Sequence, residues 1–124
     1  MFDQQVTFIY VQDLEVSSTF YRDTLGLELV LDQGKCRIFK ISNDGFLGLC
    51  QCNDKRPSSP AGIIITFITR DVDGIYQKLI SKGVSFDHPP NKNQEYNIYH
   101  CFLNDPDGYK LEIQQFFDPA WPKP

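Results

Sequence analysis

Asn104-Asp105-Pro106-Asp107-Gly108-Tyr109-Lys110-Leu111-Glu112-Ile113-Gln114-Gln115 joins a tight turn directly to a strand. Pro106 presets φ at the first central position of the turn, and Gly108 takes the positive φ needed to re-enter a sheet. Leu111 and Ile113 alternate with Lys110, Glu112 and Gln114, the period of two of a half-buried strand. Glu112 therefore belongs to the face opposite the apolar pair. A carboxylate there holds a metal, contacts a ligand or sits near solvent, and its surroundings decide which.

Upstream, Val6 to Val11 is rich in β-branched and aromatic residues and reads as a strand. Asp13 follows as an N-cap. Leu14 to Leu25 then carries Leu14, Val16, Phe20, Tyr21 and Leu25 at mostly helical spacing, and Gly26 ends the helix. Strands are expected at Glu28–Leu31, Cys36–Ile41 and Phe46–Cys52, the last two joined by the hairpin signal Asn43-Asp44-Gly45. A polar, Pro-rich linker over 53–62 follows, and then the pattern restarts. Ile63–Thr69 reads as a strand, Asp71 as a cap, and Val72, Ile75, Tyr76, Leu79 and Ile80 as a helix face closed by Gly83. Val84–Phe86, Tyr96–Leu103 and Tyr109–Phe116 supply three more strands.

The chain is a βαβββ unit written twice, with modules over about 5–52 and 63–117 and an aromatic tail over 117–124. The expected class is α+β, in one domain of 124 residues. Each module buries one face of its sheet under its own helix, and the other two faces are expected to form a concave cleft, a natural ligand site. Phe117 and Trp121 in the tail are expected to pack onto the domain or onto a second subunit.

Composition excludes several function classes. With 41% hydrophobic and 23% charged residues the chain is that of a globular protein, and a net charge of −4 gives no basic field for nucleic acid. No apolar run approaches the roughly 18 residues that span a bilayer, and the start of the chain has no signal-peptide pattern, so a cytoplasmic location is expected. Cys36, Cys50, Cys52 and Cys101 fit no common zinc spacing, and free, mostly buried thiols are expected in a reducing compartment. His88 precedes Pro89-Pro90 in an expected surface loop, while His100 lies in a strand as a hydrogen-bonding or structural histidine.

With this layout the chain resembles the vicinal oxygen chelate superfamily of glyoxalase I, bleomycin- and fosfomycin-resistance proteins and extradiol dioxygenases. Three segments carry the likeness: Asp13-Leu14-Glu15 with Phe20 to Leu27, Asp71-Val72-Asp73 through Gly83-Val84, and Asp105 to Gly108 with Leu111-Glu112-Ile113. The resemblance implies four metal-ligand positions, one in the first and one in the last strand of each module. Here they fall on Val6, on Gly48 or Leu49 depending on register, on Ile64 and on Glu112. Only Glu112 can bind a metal, and one carboxylate does not hold a divalent ion against water.

Neither a metal nor another cofactor is therefore expected. The resemblance implies instead a metal-independent protein, similar to bleomycin-resistance proteins, that binds an aromatic or cationic drug or metabolite as a homodimer. Its cleft candidates are Phe8, Tyr10, Thr66, Ile68, His100, Glu112, Gln114 and Phe116, with rings for stacking and one carboxylate for a cation. If Glu112 contacts no ligand, its expected partner is Arg37, Lys110 or a backbone N–H. Whether Cys50 and Cys52 face the cleft depends on the Gly48 or Leu49 register. The missing ligands argue against an enzyme. The alternatives are a glyoxalase- or dioxygenase-like enzyme with a non-standard metal or acid-base site at Glu112 and His100, and a structural or regulatory dimer without ligand.

Overall fold

β-branched and aromatic side chains make Gln5–Val11 the first strand, β1. The chain continues through α1 (Leu14–Thr19), β2 (Glu28–Asp32), β3 (Cys36–Lys40), β4 (Gly45–Gln51), β5 (Ile64–Ile68), α2 (Val72–Ser81), β6 (Asn91–Asn93), β7 (Ile98–Asn104) and β8 (Lys110–Phe116). The structure is a computed structural model that describes residues 1–123. It divides into two units, residues 1–61 with 105–109, and residues 62–104 with the chain from Lys110 onward. Each unit holds one four-stranded mixed sheet, ordered β1-β4-β3-β2 in the first and β5-β8-β7-β6 in the second. The pairs β1/β4 and β5/β8 are parallel, and the others are antiparallel. This is an α+β fold of two βαβββ modules.

In the first unit Asp13 caps α1, its Oδ1 accepting from the N–H groups of Glu15 and Val16 at 3.0 and 3.2 Å. Arg37 on β3 reaches α1, donating to the Ser18 hydroxyl at 3.1 Å and pairing with Glu15. This places α1 over the sheet face of Phe39, Leu47 and Leu49, each of which is at most 1% exposed. Burying such side chains stabilises the fold by roughly 1.5–3 kcal/mol apiece. Below them Tyr21 donates its hydroxyl to Asp105 at 2.7 Å, and Asp105 also accepts from the N–H groups of Asp107 and Tyr109. Gly108 closes that turn at φ 89°, as its sequence demands.

The first helix differs from its expected form. After Thr19 it widens into a π-helical segment, Phe20–Thr24, in which the N–H of Leu25 bonds the carbonyl of Phe20 at 2.9 Å. Val16 is 52% exposed, whereas Ser17 and Ser18 are buried. The two serines tolerate burial because their hydroxyls are partnered, Ser17 with Asp107 and Ser18 with Arg37. The thiol expectation also fails for two cysteines. Cys36 and Cys50 lie directly opposite each other in the β3/β4 ladder, with Cα atoms 4.1 Å apart, and form a disulfide, while Cys52 and Cys101 are free.

In the second unit Asp71 caps α2 through the N–H of Gly74 at 3.0 Å. Position 74 must be glycine for this, since a Cβ there would lie 2.1 Å from a carboxylate oxygen of Asp71. Tyr99 donates its hydroxyl to Asp73 on α2, so the helix covers the face of Tyr99, Cys101 and Leu103 on β7 and of Leu111 and Ile113 on β8. Burial there pushes the Cys101 thiol up to about 11, leaving it inert at neutral pH.

Val84–Phe86 is not a strand. Only Phe86 bridges to Leu103, and the edge strand is Asn91–Asn93 instead. Those three polar residues have low strand propensity, and their ladder with β7 (Asn91 opposite His100, Asn93 opposite Ile98) decides the conformation. β7 begins at Ile98 rather than Tyr96 because Asn97 takes φ 54°.

Candidate ligand-binding face

Alternation along β8 turns Glu112 away from α2, yet Glu112 is only 7% exposed. A carboxylate taken from water needs partners. Thr66, directly opposite on β5, donates its hydroxyl to Oε1 at 2.7 Å. His100 on β7 bonds Oε2 through Nδ1, also at 2.7 Å. The partners expected from sequence are elsewhere. Arg37 engages Glu15 and Asp32, and Lys110 engages Asp87 at 2.6 Å.

The same face carries Ile64 and Ile68, 58% and 43% exposed, together with Phe102, buried Gln114 and Phe116. His88 is less of a surface residue than its loop position implies. Its ring lies 5.7 Å from that of His100 and 5.9 Å edge-on to Phe102, and Asn91 sits 3.2 Å from its Nδ1. The structure thus brings Thr66, Ile68, His100, Glu112, Gln114 and Phe116 to one sheet face. It adds Phe102 and His88, which sequence reasoning missed. Phe102 was within reach, because it alternates with His100 along β7. His88 was not, because its ring contacts follow from a loop path that carries no periodicity.

Phe8 and Tyr10 belong to the corresponding face of the first unit. Leu47 and Leu49 are both buried under α1, so the residue matching Glu112 is Gly48. Phe8 is paired with Gly48, and its ring lies where a side chain would emerge: a Cβ on Gly48 would sit 2.3 Å from the ring. By the same alternation Cys50 shares this face with Phe8 and Gly48. Tyr10 accepts a hydrogen bond from Arg56 at 3.2 Å, and that guanidinium lies over its ring.

These residues do not fit a catalytic metal. Val6 and Ile64 offer hydrocarbon and Gly48 offers no side chain, which leaves Glu112 as the single carboxylate of the four positions. Among the described residues no three His, Cys, Asp or Glu side chains are grouped to hold an ion. What the second face offers is a carboxylate with lone pairs to spare, an imidazole, a primary amide and an apolar surround. Among the described residues no helix is long and apolar enough to cross a membrane.

Residues 4–113 match the model of the Glyoxalase/Bleomycin resistance protein/Dioxygenase superfamily. The chain is 26% identical over 117 residues to the uncharacterized protein YraH of Bacillus subtilis (strain 168), an alignment covering 85% of this chain and 91% of that protein. A crystal structure of a superfamily member from Sphaerobacter thermophilus DSM 20745 is 27% identical, with a TM-score of 0.77 over 93% of this chain and 98% of that one. Lactoylglutathione lyase from Agrobacterium tumefaciens shares the fold, with a TM-score of 0.77 at 22% identity over 95% and 96% of the two chains.

Proposed function

Because this chain belongs to the glyoxalase/bleomycin resistance protein/dioxygenase superfamily, we propose that it binds a small aromatic or cationic molecule without a metal, in the manner of bleomycin-resistance proteins. The observation that carries this reading is Glu112, a nearly buried carboxylate held by Thr66 and His100 on a helix-free face otherwise lined with Ile64, Ile68, Phe102 and Phe116. Keeping a carboxylate in apolar surroundings costs stability unless it serves a partner. A cation above Glu112, its ring against Phe116, gains both charge pairing and stacking. A homodimer is proposed with it, checked by light scattering on the eluted protein.

The test is a thermal-shift and calorimetric screen with planar aromatic cations. A binder raises the melting temperature of the folded protein, the stabilisation growing with the logarithm of its concentration over Kd. Glu112→Gln should abolish the shift while the protein stays folded. A stoichiometric transition metal that copurifies with the protein and is lost in Glu112→Gln would overturn the metal-free reading.

One observation favours a second reading. A carboxylate 2.7 Å from an imidazole is the arrangement that orients a histidine base. Under this reading His100 takes a proton from a bound substrate, and turnover disappears in His100→Gln but not in Phe116→Leu.

A further inference from the structure

The aromatic tail builds a second site. After β8 the chain folds back, and Trp121 stacks on Phe116 with ring centroids 4.0 Å apart and planes 21° from parallel. Between this tail and the end of β5 lies a cavity of about 540 Å³, lined among others by Ile68, Arg70, Phe116, Phe117, Trp121 and Lys123. That volume suits a one- or two-ring molecule. Trp121 remains 47% exposed, so one ring face is covered by Phe116 and the other is open. Among the described residues the one carboxylate side chain in the wall, Asp118, holds the tail's own turn, its Oδ1 accepting from the N–H of Ala120 at 2.9 Å. Arg70 and Lys123 have no hydrogen-bond or ion-pair partner among the described residues. A chain with net charge −4 thus places two unpaired cations at the rim of an aromatic cavity.

We infer that this cavity binds a small aromatic carboxylate, its ring on the open face of Trp121 and its carboxylate on Arg70 and Lys123. Arginine matches a carboxylate with two parallel N–H donors, and lysine adds a point charge. A cation would meet like charge here, so the site selects a class of ligand opposite to the one proposed for Glu112. The inference does not rest on that proposal, although Ile68 and Phe116 border both places.

Trp121 is the only tryptophan in the chain, so its fluorescence reports on the cavity directly. Benzoate, benzamide and benzamidinium share a ring and differ in charge, and each is titrated into the 124-residue chain. Benzoate should change the emission saturably, benzamide should bind about tenfold more weakly, and benzamidinium more weakly still, as expected for a charge-assisted pair. Arg70→Gln and Lys123→Gln should each weaken benzoate binding about tenfold with an unchanged melting temperature, since both side chains are exposed and unpartnered. Glu112→Gln should leave benzoate binding intact. Equal binding of benzamide, preference for benzamidinium, indifference to Arg70→Gln and Lys123→Gln, or loss of binding in Glu112→Gln would each overturn the inference. Failure here leaves the aromatic-cation screen untouched, and failure of that screen leaves benzoate binding untouched.

Discussion

Phe8 opposite Gly48 in the first unit and Thr66 opposite Glu112 in the second occupy the same place in the same parallel ladder. On the helix-covered faces beside them the two units agree: Leu47 and Leu49 in one, Leu111 and Ile113 in the other, all 2% exposed or less. On the open faces they disagree completely. One unit fills the position with an aromatic ring lying on a glycine, and the other with a hydroxyl bonded to a carboxylate. The lesson is that packing constrains one face of each sheet to hydrocarbon, whereas the other is free to carry whatever chemistry is needed. A polar cluster in one unit standing where the other carries a ring supports placing the proposed site at Glu112.

The agreement is the part that should break hardest. Leu49→Ala and Leu111→Ala each leave a void in a fully buried position and should each cost about 2–5 kcal/mol in urea unfolding. Closely matched losses would support the equivalence of the two cores, and a large gap would break it. The disagreement is tested by transplant. Gly48→Glu alone collides with the Phe8 ring, and Phe8→Thr removes the collision and supplies a donor. The double variant should be more stable than the two single effects sum to, by about 0.5–3 kcal/mol in a double-mutant cycle. In the second unit Glu112→Ala strands the Thr66 hydroxyl and the His100 imidazole, a loss of about 1–3 kcal/mol by the same measurement.

The smallest effect sharpens a comparison of buried carboxylates. Unlike Glu112, which faces an imidazole, Asp105 meets only neutral donors, the Tyr21 hydroxyl and two backbone N–H groups. Burial raises its pKa, and the hydrogen bonds only partly oppose this. The folded state then holds this proton to higher pH than the unfolded state, whose value is about 3.9. Stability from this group is present below that value and is lost as pH rises through the folded-state value. Asp105→Asn should remove that fall from the pH profile of the melting temperature, and an unchanged profile would refute the assignment.

The sequence made some of this legible and hid the rest for physical reasons. Asp13 and Asp71 announced both helix starts, because capping is chemistry within one turn. Leu111-Glu112-Ile113 announced the orientation of Glu112, because strand alternation is strict. The strand Asn91–Asn93 stayed hidden because pairing with β7, not its own propensity, makes it extended. The widening at Phe20 and the burial of Ser17 and Ser18 depend on partners 19 to 90 positions away or on ladder geometry, which periodicity does not record. The partners of Glu112 were hidden likewise. Thr66 and His100 stood among the candidates, but only cross-strand register joins them to the carboxylate.

The turn at 105–109 carries a consequence for how the protein is made. Though written just ahead of the last strand, it belongs to the first unit, where Asp105 answers Tyr21 and Tyr109 donates its hydroxyl to the carbonyl of Tyr10. A ribosome that has delivered only the first 61 residues has therefore delivered a unit still lacking its closing piece. Until Asp105 emerges, Tyr21 has no acceptor in its buried position, and the early half must wait, open and exposed to proteases and chaperones, for the late half to be translated.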